Sequence, residues 1–156
     1  MLHTLALIIA APTFVWGYSY VFGALLIGIA RDFEIRGRAM PSAVWTEAWG
    51  DRWKYSTTVC RGIILHPWSE YDARTWEHEK VHVRQAEDLC FLGLVLGLLF
   101  GALWGDWAQG GLIWLLSPFG LGLNYVMAGL RAGSLATYRG AEHERAAYDH
   151  TDHLGD

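Results

Sequence analysis

At 156 residues with a formal net charge of −4, the chain suits one domain, spanning 1–156. Hydrophobic residues make up 53% and cluster into charge-free runs, which excludes an ordinary solvated surface for much of the chain; no basic cluster points to nucleic acid. The two cysteines, Cys60 and Cys90, have no C-x-x-C spacing, which argues against a disulfide framework or a cysteine zinc site.

In chain order, residues 5–30 carry no Asp, Glu, Lys or Arg and are long enough to cross a hydrocarbon core of about 30 Å. A basic start is missing, so the segment is expected to be a retained membrane helix, bent at Pro12, and not a secretory signal. Pro41 to Trp53 is predicted as a short helix, with Pro41 in its first turn and Trp45, Trp49 and Trp53 in one aromatic stripe. Thr57 to Leu65 is β-branched and apolar, which predicts a strand or hairpin arm with Gly62 at a bulge or turn. Ser69-Glu70-Tyr71-Asp72 fits a capping box for a helix over about 72–88.

That helix is expected to run into a second membrane segment at 89–105. A Trp-rich outer turn and a third segment at 111–130 follow. A last helix is predicted at about 141–149. All twelve Lys and Arg fall between the first and second apolar segments or after the third. By the positive-inside rule, three crossings then leave both of those stretches in the cytoplasm.

The chemistry lies in His78-Glu79-Lys80-Val81-His82, an H-E-x-x-H pattern. Residues four apart share a helix face, so both histidines can reach one metal ion, with Glu79 beside that face. Catalytic zinc needs a third protein ligand and an open position for water. A carboxylate in Ala141 to Asp149 can supply it, because the membrane hairpin returns the chain to the same side; Glu142 and Glu144 both qualify. They lie about 200° apart on a helix, so one alone can face the metal. Gln85 reads either as an outer partner of a zinc histidine or as a solvated helix residue, and His66, His150 and His153 are expected to be solvated.

His78-Glu79-x-x-His82-x-x-Gln85, followed after a hairpin by Glu144-x-x-Ala147-Tyr148, resembles the gluzincin class of zinc metallopeptidases. The nearest likeness is to integral-membrane members of the CAAX-endopeptidase, heat-shock-protease and β-lactam-sensor types. The resemblance covers 57–65, 72–88 and 141–149. It departs where the family has Asp four residues after the ligand, since Tyr148 stands there. It implies a mainly α membrane protein with three transmembrane helices, a minimal zincin-like cytoplasmic zinc site and a short β element. It also implies zinc held by His78, His82 and Glu144, with Ala147 at the family's small-residue position. Glu79 would be the general base, acting on a water whose pKa zinc lowers to about 7. His143, Tyr148, Tyr138 and Arg139 are candidates for steadying the oxyanion, and a strand with Val59, Arg61 and Ile63 would pair with an extended peptide substrate.

The expected function is therefore peptide-bond hydrolysis at the cytoplasmic face of the inner membrane, on a protein or peptide partner. Two other classes compete. One is a non-catalytic metal-binding membrane scaffold. The other is a carboxylate-bridged di-iron oxidase, since Glu79-x-x-His82 is also an E-x-x-H box. The second box that class needs is missing, because Glu142 and Glu144 are followed three residues on by Arg145 and Ala147.

Overall fold

Short β-prone segments meet in one four-stranded sheet, flanked by helices on both faces. The computed structural model describes residues 8–37, 39–52, 55–69, 72–123, 127 and 142–152. These form α1 (Ala11–Leu26), β1 (Ala30–Arg36), β2 (Met40–Trp45), α2 (Glu47–Gly50), β3 (Thr57–Val59), β4 (Gly62–Leu65), α3 (Ala73–Trp104), α4 (Trp107–Leu116) and α5 (Glu142–Asp152). The chain is mainly helical with a small sheet.

The sheet order is β1-β2-β4-β3. β2 runs antiparallel to β1 and parallel to β4, and β3–β4 is an antiparallel hairpin turning at Cys60-Arg61. Alternate side chains point to opposite faces of a strand. Ile64 therefore packs with Val21 and Ala24 of α1, while Ile63 and Leu65 pack with Val83 of α3. Paired residues share a face, so Thr57 opposite Ile64 points toward α1 and Thr58 opposite Ile63 points toward α3.

Two expectations are corrected here. The stretch from Pro41 is not a helix: Met40 to Trp45 form β2, buried throughout, and the helix is confined to Glu47–Gly50. The four-residue Trp spacing is overridden by pairing on both sides, to β1 and to β4. Trp53 lies outside the described residues. The stretch 57–65, expected as one strand or hairpin arm, is extended but folds as both arms of a hairpin, β3 and β4.

The three crossings are also not supported. Among the described residues, α3 is the one helix long and apolar enough to cross a membrane. α1 has 16 residues and lays one face on the sheet. Its backbone comes so close that a Cβ added at Gly17 would lie 2.5 Å from the Gly62 nitrogen. α4 gives way after ten residues to a 3-10 turn at Ser117–Phe119, where Pro118 has no amide to extend the ladder. Part of the expected third segment falls outside the described residues.

The site helix does run unbroken into the second apolar segment, 32 residues in all. Its N-cap is Asp72, which accepts from the amides of Arg74 and Thr75; Ser69 sits in a separate 3-10 turn, so the predicted capping box gives way to a simple Asp cap. The helix ends at Gly105, whose φ of 72° suits glycine. α4 folds back along it through a seam of glycines: Gly93, Gly97 and Gly101 are buried, and a Cβ at Gly97 would meet the Gly110 carbonyl oxygen at 2.3 Å. α5 packs on the first half of α3, opposite the metal-motif residues.

Candidate metal centre

The i, i+4 spacing on α3 sets His78 and His82 side by side, and α5 brings Glu144 down onto both. The two Nε2 atoms are 3.2 Å apart. One Glu144 carboxylate oxygen lies 3.3 Å from His78 Nε2 and the other 3.3 Å from His82 Nε2. All three side chains are buried, Glu144 at 2% exposure. Ala147, fully buried one helical turn on, lets α5 approach α3 closely. His78, His82 and Glu144 could together hold a metal ion. Among the described residues this is the one such group of potential ligands.

Supporting contacts fix the ring orientations. Gln85 Oε1 lies 2.9 Å from His82 Nδ1, so the Nδ1–H can donate to it and Nε2 is left for a metal. Gln85 is thus an outer partner of the site. The Tyr148 ring lies over His78 with centroids 4.6 Å apart, packing where the resemblance has an acidic residue. Burial lowers the His82 pKa, but the Glu144 carboxylate, Gln85 and Glu79 outweigh it, and the net value is raised.

Glu79 is buried beside the donor set without joining it. Thr58 Oγ1, on the edge strand β3, donates to its Oε2 at 2.5 Å. Burial raises the Glu79 pKa; Thr58 and the two histidines pull it down and Glu144 pushes it up, with a net rise. A cleft of about 310 Å³ opens beside His78 and Glu79, walled by Tyr55, His66, Trp68 and Tyr148.

Several sequence-predicted residues fall elsewhere. Of the proposed pairing strand, Val59 is on the edge strand β3, but Arg61 and Ile63 are not available to a substrate. Arg61 is buried in the hairpin turn, ion-paired with Glu87 and stacked 4.0 Å from the Phe14 ring centroid. Ile63 is fully buried in β4, between β2 and β3. His66, expected in solvent, is buried: Nδ1 accepts from the Trp68 amide and Nε2 lies 3.2 Å from the Gly50 carbonyl. With both ring nitrogens engaged it shapes the cleft wall and offers no lone pair to a metal. His150 is exposed, as expected. Tyr138, Arg139 and His153, and the side chains of Glu142 and His143, lie outside what is described. Thr58 was not singled out from the sequence, since its contact with Glu79 follows from strand placement, which no local pattern encodes.

Comparison of the chain with protein-family models, curated proteins and solved structures finds no match.

Proposed function

We propose that this protein is a membrane-embedded zinc-dependent peptidase that hydrolyses a peptide bond near the cytoplasmic membrane face. The observation that carries this reading is the convergence of His78, His82 and Glu144 with a buried carboxylate, Glu79, beside them and a cleft in front. The donor set fits zinc in kind, two imidazole nitrogens and a carboxylate. The two imidazole nitrogens stand 3.2 Å apart and each carboxylate oxygen faces a different one at 3.3 Å, so the three side chains converge on one place.

A zinc ion held there supplies a Lewis acid that makes water nucleophilic near neutral pH. The chain's own residues do the rest. Glu79 accepts the proton of the attacking water and hands it to the leaving amine, a role suited to a carboxylate whose pKa is raised by burial. Gln85 and Tyr148 hold the two histidine rings. An extended peptide lies along β3, the edge strand nearest Glu79, at Thr57 to Val59.

The membrane part of the reading rests on an inversion of ordinary packing. In the α3–α4 hairpin the seam glycines Gly93, Gly97, Gly101 and Gly110 are buried and large residues face out, with Leu92, Leu96, Leu99, Leu103 and Leu112 each about half exposed or more. Small residues at a helix seam with leucines outside suit lipid, where close backbone approach drives helix association. The cytoplasmic orientation is supported by Lys and Arg on the site side and by none in the Gly105–Gly110 turn.

Metal analysis of detergent-purified protein, paired with cleavage of unfolded casein, tests the reading. Zinc near one per chain and activity that Glu79→Gln abolishes while zinc stays bound would support it. Zinc with no cleavage in the wild type would favour a metal-stabilised scaffold.

A further inference from the structure

α1 carries a second message on the face turned away from the sheet. Val15, Ser19, Phe22 and Leu26 follow one another at helical spacing and all are exposed, Leu26 at 87%. Ile27 is exposed just beyond them, and Phe33 of β1 stacks on Phe22 with centroids 5.0 Å apart. Met1 to Ala30 contains no Asp, Glu, Lys or Arg, so the Ser19 hydroxyl is the one polar group in this stripe. Such a largely apolar flank needs an occupant.

Continuity identifies it. The first turns of α1 are tied to the hairpin: Trp114 Nε1 donates to the Ile9 carbonyl, and Trp16 Nε1 to the Leu115 carbonyl, each at 3.0 Å. The exposed stripe therefore starts beside α4, the helix that packs along the candidate span. From Val15 to Leu26 it continues for about 17 Å at about 1.5 Å per residue. How deep that reaches is fixed by bonds through the sheet. The Tyr20 hydroxyl meets Thr57 Oγ1, and the next residue, Thr58, donates to Glu79. Phe22 and Leu26 lie beyond Tyr20 along the helix, at or past the level of the metal centre. Exposed charges stand around this flank: α3 exposes Arg84 and Asp88 at the same end, and the edge strand β1 exposes Arg31, Asp32 and Glu34 next to Phe33, whereas α1 itself exposes none.

We propose that the outer face of α1 is covered by lipid acyl chains, so that the candidate metal centre sits at bilayer depth on this flank with α1 and the sheet between it and lipid. The inference rests on the membrane reading of the hairpin but not on hydrolysis. Spin labels test it, placed on single cysteines at Val15, Phe22, Leu26, Leu96, Arg84 and Asp88. The background is full-length protein with Cys60 and Cys90 replaced by Ser, reconstituted in phosphatidylcholine vesicles. Collision with oxygen reports lipid, and collision with a neutral nickel chelate reports water. The expected oxygen-to-nickel ratio at 22 and 26 matches that at 96 and exceeds that at 84 and 88 several-fold. A ratio at 22 and 26 as low as at 84, with 96 still lipid-like, overturns the inference and leaves the hairpin in the membrane. Protection from both reagents at 22 and 26 means protein covers the flank and overturns it equally. A water-like ratio at 96 removes the membrane reading itself.

Discussion

Thr58 Oγ1 donates to Glu79 Oε2 at 2.5 Å, joining the outermost strand of the sheet to the carboxylate beside the candidate metal centre. Thr58 points that way because it pairs with Ile63, which faces α3, while its neighbour Thr57 meets the Tyr20 hydroxyl on the other face. The strand is thus held from both sides, and the carboxylate inherits its position. Pairing of an extended peptide on β3 would therefore engage the strand that holds the proposed base.

From this, Thr58→Val should keep zinc content and thermal stability close to wild type, since valine preserves the branched strand side chain. Without the hydroxyl, Glu79 loses its aim, and kcat on casein should fall about tenfold or more, toward the lower part of what a positioned base contributes. Thr58→Ser should recover most of it. A Thr58→Val protein with wild-type kcat would remove Thr58 from the mechanism.

Glu144→Ala leaves two histidines facing one another across 3.2 Å, and zinc affinity should drop by more than the roughly 10–100-fold that losing an outer partner costs. Gln85→Leu should fall within that smaller range, because it frees the His82 ring without removing a donor. Glu142→Ala should leave affinity unchanged. Competition titration with a zinc-sensitive dye checks all three, and affinity lost at Glu142 with none lost at Glu144 would reverse the assignment.

The metal motif was legible because it is local: His78 and His82 are one helical turn apart, and any helix through them brings both rings to one side. Glu144 was legible only through the resemblance, since its distance in sequence is closed by the intervening hairpin. The sheet was half legible. β3 and β4 announce themselves by β-branched residues and Gly62, but β2 was misread because Trp45 and Trp49 recur at helical spacing while its strand state depends on partners far away in the chain. β1 hid for a different reason: Arg31 to Arg36 mix charge and apolar residues because the strand is an exposed edge. Hydropathy could not distinguish a face buried on a sheet from one buried in lipid, so α1 read as a free crossing. The four-residue spacing of Gly93, Gly97 and Gly101 was the available signal for the hairpin seam.

That seam allows a size test. Gly97→Leu puts a branched side chain where even a Cβ meets the Gly110 carbonyl oxygen at 2.3 Å, so the two helices must separate. The variant should lose its compact, monodisperse peak in detergent chromatography. Gly111→Ala, one residue along from Gly110, has open space around its new methyl and should raise stability by about 1 kcal/mol through helix propensity alone. If Gly97→Leu elutes and melts like wild type, the backbone contact is not what joins α3 to α4.

Asp72 starts the site helix, and its carboxylate ties down the first turn through the Thr75 hydroxyl at 2.5 Å and the amides of Arg74 and Thr75. The Thr75 hydroxyl is the largest influence on its pKa, partly opposed by burial and joined by the two amides and the Arg74 charge; the net effect is a lowered value. A carboxylate with a depressed folded pKa adds stability that is fully present above its unfolded value of 3.8 and is lost as pH falls through the folded value. Asp72→Ala should therefore cost about 0.5–2 kcal/mol at neutral pH, the ordinary worth of a helix cap. Asp72→Asn keeps a capping oxygen but cannot ionise. Its stability deficit should be largest at neutral pH and should shrink as pH drops below 3.8, where the wild-type carboxylate takes up a proton. Thermal unfolding of the two proteins between pH 7 and pH 3 measures this, and a deficit that stays constant across that range would show that the charge on Asp72 contributes nothing to holding the first turn of α3.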